Sequence, residues 1–188
     1  MPAPTLWNVP NILTLMRVVL IPVLVLMANW PAPFELQYPL VAGVFLIAAI
    51  TDWFDGYLAR AWNQTSAFGR FLDPVADKLM VAAALVILVQ WHSGIFMVIS
   101  AIVIISREIT ISALREWMAE IGKRANVAVS SIGKWKTTAQ MASITVLLVK
   151  EPRLDMIGFS LMFIAVALTL WSMIIYLKAA WPDLKQSA

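Results

Sequence analysis

Asp52-Trp53-Phe54-Asp55-Gly56-Tyr57-Leu58-Ala59-Arg60 closes an apolar run that begins near residue 36, and Gly69-Arg70-Phe71-Leu72-Asp73-Pro74-Val75-Ala76-Asp77-Lys78 opens the next one. Four of the six aspartates in the chain fall inside this window of 26 residues. Asp52 and Asp55 stand three apart and Asp73 and Asp77 four apart, so on helices each pair shares a face. Gly56 and Ala59 continue the first stripe with almost no side chain. Asp73-Pro74 predicts an N-cap followed by proline in the first turn, which places the start of the third helix at residue 73.

The solvent around these helices follows from composition. The chain has 188 residues, of which 61% are apolar and 13% charged, with a mean hydropathy of +0.82. A globular domain carries roughly 45–50% apolar and about 25% charged residues. So much apolar surface cannot be hidden from water by a chain of this length, and lipid has to be part of its environment. Disorder, a coiled coil and a small secreted scaffold are excluded. There is no cysteine and a single histidine, His92, so thiol chemistry, disulfides and a multi-histidine zinc cluster are excluded as well.

Six apolar stretches, at residues 11–29, 36–62, 73–90, 96–118, 132–149 and 154–177, approach or exceed the ~20 helical residues that cross a bilayer core. In lipid they must be helices, because the alternation of a membrane strand is absent. The expected fold is all-α and integral to the membrane, with six transmembrane helices in one domain over residues 1–188. The first stretch reads as a retained helix, since its apolar run already begins at Ile12 and Ala28-Asn29-Trp30 is a poor cleavage site. Connections 30–35 and 91–94 contain no Lys or Arg, and 150–153 holds two; the other twelve fall toward the opposite helix ends. The positive-inside rule then places both termini and the acidic window in the cytoplasm. Trp7, Trp30, Trp62, Trp91, Trp117, Trp135 and Trp181 stand near helix ends, as interfacial anchors. The net charge of +3 reflects this asymmetry and is no argument for nucleic acid.

Four carboxylates packed at a membrane boundary would repel, and without a cation some would have to protonate. A divalent ion removes the conflict, and an oxygen-only ligand set favours magnesium, manganese or calcium. The alternative is that these aspartates cap helices and pair with Arg60, Arg70 and Lys78. Four at paired spacing argue against it, because ionisable groups in membrane helices are costly and usually functional. Gly56 and Ala59 would let a bulky ligand approach the backbone, and Arg60 would reach a phosphate.

The pattern D-x-x-D-G-x-x-A-R, eight residues, G-x-x-x-D-x-x-x-D is met at every position by Asp52, Asp55, Gly56, Ala59, Arg60, Gly69, Asp73 and Asp77. It resembles the signature of the CDP-alcohol phosphotransferase family. The likeness extends to Asn8-Val9-Pro10-Asn11-Ile12-Leu13-Thr14-Leu15-Met16-Arg17 and to the stretch from Arg107-Glu108 through Ser112-Ala113-Leu114-Arg115-Glu116-Trp117 to Gly133-Lys134-Trp135-Lys136-Thr137, and so covers nearly the whole chain. The resemblance implies displacement of CMP from a CDP-linked lipid by the hydroxyl of a second substrate. It implies that Asp52, Asp55, Asp73 and Asp77 hold Mg2+ or Mn2+, two ions per site, and that Asp77 is the base that takes the hydroxyl proton. Since a metal-bound carboxylate is a weak base, Asp77 would have to be loosely coordinated. Asp52, Gly56, Ala59, Arg60 and Gly69 would line the CDP pocket. A homodimer, membrane lipids as surroundings and a bacterial inner membrane follow from the same likeness.

The acceptor is argued from a second set. Arg107, Arg115, Lys134 and Lys136 follow the apolar part of the fourth stretch and suit an acceptor that carries a phosphate, which guanidinium binds bidentately. Lys123 and Arg124 read as interfacial anchors, and an ion pair with Glu108 is the competing reading of Arg107. With the resemblance, the cations point to CDP-diacylglycerol as donor and sn-glycerol 3-phosphate as acceptor. Other acceptors on the same fold remain open: phosphatidylglycerol (a cardiolipin synthase), inositol phosphate or serine. From different classes come a divalent-cation transporter, which would have no use for Gly56, Ala59 and Arg60 at this spacing, and a non-catalytic assembly factor, which would tolerate Asp77→Asn.

Overall fold

Residues 9–31, 34–61, 67–122 and 131–186 are described by a computed structural model of the chain; within them the side chains of residues 53, 55–61, 70 and 131–134, and some at helix ends, lie outside the description. Among the described residues the chain forms six α-helices, α1 Val9–Asn29, α2 Phe34–Ala61, α3 Ala67–Trp91, α4 Ile95–Glu120, α5 Ser131–Val149 and α6 Pro152–Gln186. Three spans, Asn11–Asn29, Ile95–Glu120 and Pro152–Pro182, are by themselves long and apolar enough to cross a membrane, and Leu36–Asp52 is a shorter apolar segment. The outer surface carries Val19, Leu26, Ile47, Val86, Ile102, Ile109 and Phe163 exposed, which water would penalise and lipid accepts. The protein is an all-helical membrane protein.

One expectation is corrected. The third helix begins at Ala67, six residues before Asp73, and Pro74 lies inside it. Proline there leaves the carbonyl of residue 70 without its helical partner, a loss that membrane helices accommodate where neighbouring groups re-satisfy the backbone. Asp73 is therefore an interior helical residue, which frees its carboxylate to face another helix.

Helix ends away from the acidic window are closed by specific contacts. Gln37 of α2 donates from Nε2 to the carbonyls of Met27, Ala28 and Trp30, each at 2.9 Å, and so satisfies the orphan acceptors at the end of α1. The α5–α6 turn uses Lys150 in the left-handed region, φ 53°, just before Pro152 starts the next helix. The Lys150 ammonium lies 4.7 Å from the Tyr38 ring centroid and 3.2 Å from its hydroxyl, with Trp91 at 5.9 Å. This aromatic lodging accounts for a basic residue at the end that is otherwise poor in Lys and Arg.

The helices alternate in direction. α1 packs on α2 and α3, α2 on α5, α3 on α4, and α6 on α4 and α5. The core consists of Leu24, Phe45, Leu85, Leu88, Met97, Ile104, Ile144, Leu147, Leu148 and Met162, with their neighbours. α5 and α6 approach closely at Gly158, whose carbonyl accepts from Ser143 Oγ at 2.8 Å. A Cβ at Gly158 would fall 2.6 Å from Leu147 Cδ2, so the absence of a side chain permits the contact. With this alternation the late part of α2, the early part of α3, the late part of α4 and the early part of α5 gather at one end.

Candidate functional site

At that end a cavity of about 370 Å3 is lined by Asp52, Asp77, Lys78, Val81, Arg107, Glu108, Arg115, Lys136, Thr137, Gln140, Met141 and Tyr176. Residues from α2, α3, α4, α5 and α6 thus converge on one void, and most of its polar atoms come from charged side chains. Asp77 lies within electrostatic reach of Asp52, Arg17, Glu108 and Lys78.

Two of the expected carboxylates, Asp52 and Asp77, share this void. Asp73 is not among its lining residues; its Oδ1 accepts a hydrogen bond from Thr14 Oγ1. Asp52 Oδ1 accepts from Arg17 Nη1 at 2.7 Å. Both donors come from α1, where Asn11, Thr14 and Arg17 recur every three residues along one helix face. All three are at most 1% exposed. This polar stripe holds the carboxylates of two other helices, and the sequence reading treated it only as part of a family likeness. The available signal was Arg17 itself, a lone charge in an otherwise apolar run, which in lipid demands a partner.

Side chains of Asp55, Gly56, Ala59, Arg60 and Lys134 lie outside the described residues, although their backbones are helical. Lys123 and Arg124 lie outside them altogether. Gly69 is buried near the start of α3.

The predicted cationic set is brought together in part. Arg107, Arg115 and Lys136 line the cavity. Arg107 Nη1 donates to Glu108 Oε1 at 2.9 Å, and Lys136 Nζ donates to the same oxygen. Arg107 Nη2 also reaches Ser172 Oγ at 3.3 Å. The ion pair weighed for Arg107 is thus present, and it still leaves the guanidinium on the cavity wall. Arg115 Nη2 donates to Tyr176 Oη at 3.1 Å. Both guanidinium carbons stand near the Tyr176 ring, at 5.7 Å for Arg107 and 5.4 Å for Arg115. Tyr176 was missed because an aromatic residue late in an apolar helix is indistinguishable in sequence from lipid-facing surface. From α3, Lys78 Nζ donates to Ser112 Oγ of α4, which in turn donates to the Glu108 carbonyl at 2.6 Å.

For a metal the donor chemistry fits: carboxylate oxygens, with neither thiolate nor imidazole nearby, suit a hard divalent cation. Among the described residues no three ligating side chains converge on one point. Asp52 and Asp73 each accept from α1 through Oδ1.

A second void adjoins the first. An apolar cleft of about 550 Å3 runs between α2 and α5, lined by Leu46, Ala49, Ile50, Ala142, Thr145 and Val146 among others. Asp52, Thr137 and Met141 border both voids. A molecule with an apolar tail and an anionic head could occupy both at once.

Comparison with known proteins bears on the same region. The sequence profile described as CDP-alcohol phosphatidyltransferase matches residues 7–171. A protein from Pectobacterium atrosepticum named CDP-diacylglycerol–glycerol-3-phosphate 3-phosphatidyltransferase is 54% identical over 179 residues, 95% of this chain and 97% of that protein. A protein of the same name from Yersinia enterocolitica is 54% identical over 178 residues, 94% and 97% of the two chains. Another from Shigella flexneri is 52% identical over 181 residues, 95% and 97%. The profile runs from the foot of α1 into α6 and so takes in every helix that lines the charged cavity; this chain belongs to the CDP-alcohol phosphatidyltransferase family.

Proposed function

We infer that this chain transfers the phosphatidyl group of CDP-diacylglycerol to sn-glycerol 3-phosphate, giving phosphatidylglycerol phosphate and CMP. The observation that carries this reading is the shared border of the two voids: Asp52 lines both the apolar cleft and the cavity that is also lined by Asp77, Arg107, Arg115 and Lys136. The near-full-length likeness to relatives that bear this activity in their names supports it.

The division of labour follows from the chemistry of each wall. The diacylglycerol tails lie along the α2–α5 cleft and the diphosphate stands at Asp52, with Gly56, Ala59, Arg60 and Gly69 around the cytidine. Asp52, Asp55 and Asp73, with Asp77 only loosely engaged, would hold a divalent cation, Mg2+ or Mn2+, which would supply charge neutralisation to the diphosphate. Thr14 and Arg17 keep Asp73 and Asp52 in place. Arg107, Arg115 and Lys136, joined by Lys134, bind the acceptor phosphate, while Glu108 keeps Arg107 and Lys136 from diverging. Asp77 takes the proton of the acceptor's primary hydroxyl as that oxygen bonds to the phosphorus bearing the diacylglycerol. The bond from this phosphorus to the CMP oxygen breaks, and CMP departs with the electron pair. Both termini and this cavity face the cytoplasm, the side that supplies soluble acceptor.

The test is CMP release by purified protein given CDP-diacylglycerol, Mg2+ or Mn2+, and one acceptor at a time. Turnover with glycerol 3-phosphate, absent with serine, inositol phosphate and phosphatidylglycerol and abolished by chelation, is expected. Preference for another of these acceptors overturns the assignment. Manganese flux into sealed vesicles without liponucleotide favours the transporter instead.

A further inference from the structure

Gln140 lies one helical turn beyond Lys136 on α5, on the same face, and both side chains are deeply buried, at 4% and 5% exposure. Both line the charged cavity. Gln140 Oε1 has no hydrogen-bond partner; of its neighbours on the cavity wall, Arg107 is engaged through both terminal nitrogens by Glu108 and Ser172, its Nε alone being left over, and Lys136 is engaged by Glu108. A buried amide without a partner in a membrane interior is costly and calls for an explanation.

The assigned groups leave one feature of the acceptor unread. Arg107, Arg115 and Lys136 suit its phosphate, and Asp77 its attacking primary hydroxyl. The secondary hydroxyl has no counterpart among them. A carboxamide offers both donors and an acceptor, as a hydroxyl does, so the two groups pair in either sense. The helical rise puts Gln140 about 6 Å along the axis from Lys136, commensurate with a three-carbon phosphomonoester laid along α5.

We propose that Gln140 is a specificity-determining residue that hydrogen-bonds the secondary hydroxyl of a polyol-phosphate acceptor. It rests on the acceptor assignment made above. A site built around a hydrogen bond rejects an analogue that lacks the partner, because its own buried polar group is then left unpaired. Discrimination belongs to this amide, and affinity for the phosphate to the cations.

The experiment compares kcat/KM for glycerol 3-phosphate and for 3-hydroxypropyl phosphate, which has the same phosphate and primary hydroxyl and lacks the secondary one. The native protein is expected to favour glycerol 3-phosphate by about 10–100-fold. Gln140→Met should bring that ratio to within about threefold of unity, with the loss confined to glycerol 3-phosphate and expressed mainly in KM. Gln140→Glu, which keeps an acceptor oxygen, should retain part of the preference. A variant that loses activity on both acceptors equally, or keeps the native ratio, overturns the proposal. Should Gln140→Met not fold, as judged by loss of CDP-lipid binding, the native ratio decides: indifference to the secondary hydroxyl overturns it, and preference together with partial retention in Gln140→Glu upholds it. If the native protein turns over neither phosphate acceptor, the assigned function fails, a result distinct from turnover without discrimination.

Discussion

Arg17 Nη1 on α1 lies 2.7 Å from Asp52 Oδ1 on α2, a pair in which the guanidinium side chain is 1% exposed and the carboxylate 43%. The buried partner is the one that cannot change its surroundings, so the carboxylate at the cavity wall is held by a cation fixed in the helix bundle. Removing half of a buried pair costs ~3–5 kcal/mol when both charges are sequestered. Here Asp52 retains access to the cavity, and a smaller loss, about 1–3 kcal/mol, is expected for Arg17→Gln.

The catalytic consequence is larger than the stability loss. Misplacing a reacting group by about 1 Å lowers the rate by ~100-fold, so Arg17→Gln should reduce kcat by about 10–100-fold with little change in KM for the acceptor. Arg17→Lys retains the charge without the planar fork and should recover only part of the rate. Steady-state kinetics and thermal melts in detergent separate the two effects. Native kcat in Arg17→Gln would show that Asp52 does not depend on this contact.

Asp77 should behave differently, because it faces the cavity directly. Asp77→Asn keeps size and polarity while removing the proton acceptor, and turnover should fall by at least the ~100–10,000-fold typical of a general base. Equilibrium binding of CDP-diacylglycerol should change little. Unchanged turnover removes the base assignment, whereas loss of liponucleotide binding with the rate would move Asp77 into the donor pocket.

Asp52, Asp77, Arg107, Arg115 and Lys136 were legible in the sequence because charge is expensive in lipid, so each ionisable residue on an apolar helix advertises itself. Their convergence on one cavity follows from helices that alternate in direction. What was not legible depends on contacts across helices. Thr14, Tyr176 and Gln140 are neutral and common in membrane segments, and their meaning arises from what faces them. The misplaced start of α3 has a local cause: Asp-Pro is a strong N-terminal signal in isolation, and a helix already established at Ala67 overrides it.

Arg115 is more exposed than Arg107 and carries no carboxylate partner in its described contacts, only Tyr176 Oη at 3.1 Å. Its charge is therefore available to an incoming phosphate. Arg115→Ala should raise KM for the phosphorylated acceptor by about 10–100-fold, the cost of one charge-assisted hydrogen-bond pair, and leave KM for the liponucleotide within about twofold. Tyr176→Phe removes the hydroxyl and keeps the ring beside both guanidinium groups, so a milder acceptor effect, about threefold, is expected. If only the liponucleotide KM moves, Arg115 belongs to the other pocket.

Gly158 provides a contrast far from the chemistry. Its missing Cβ lets α5 and α6 meet beside Leu147, which is fully buried, and lets Ser143 reach the Gly158 carbonyl. A methyl group at this position would stand 2.6 Å from Leu147 Cδ2, so Gly158→Ala must displace a packed side chain or part the helices. Overpacking of this kind costs about 1–3 kcal/mol. Gly158→Val, with a branched Cβ, should cost more than alanine. Both variants should lower the melting temperature in detergent while the preference among acceptors stays native. Leu147→Ala should cost less stability in the Gly158→Ala background than in the native protein, a coupling that independent sites would not show. An altered acceptor preference in Gly158→Ala would instead mean that the α5–α6 contact sets the position of Lys136 and Gln140 on the cavity wall.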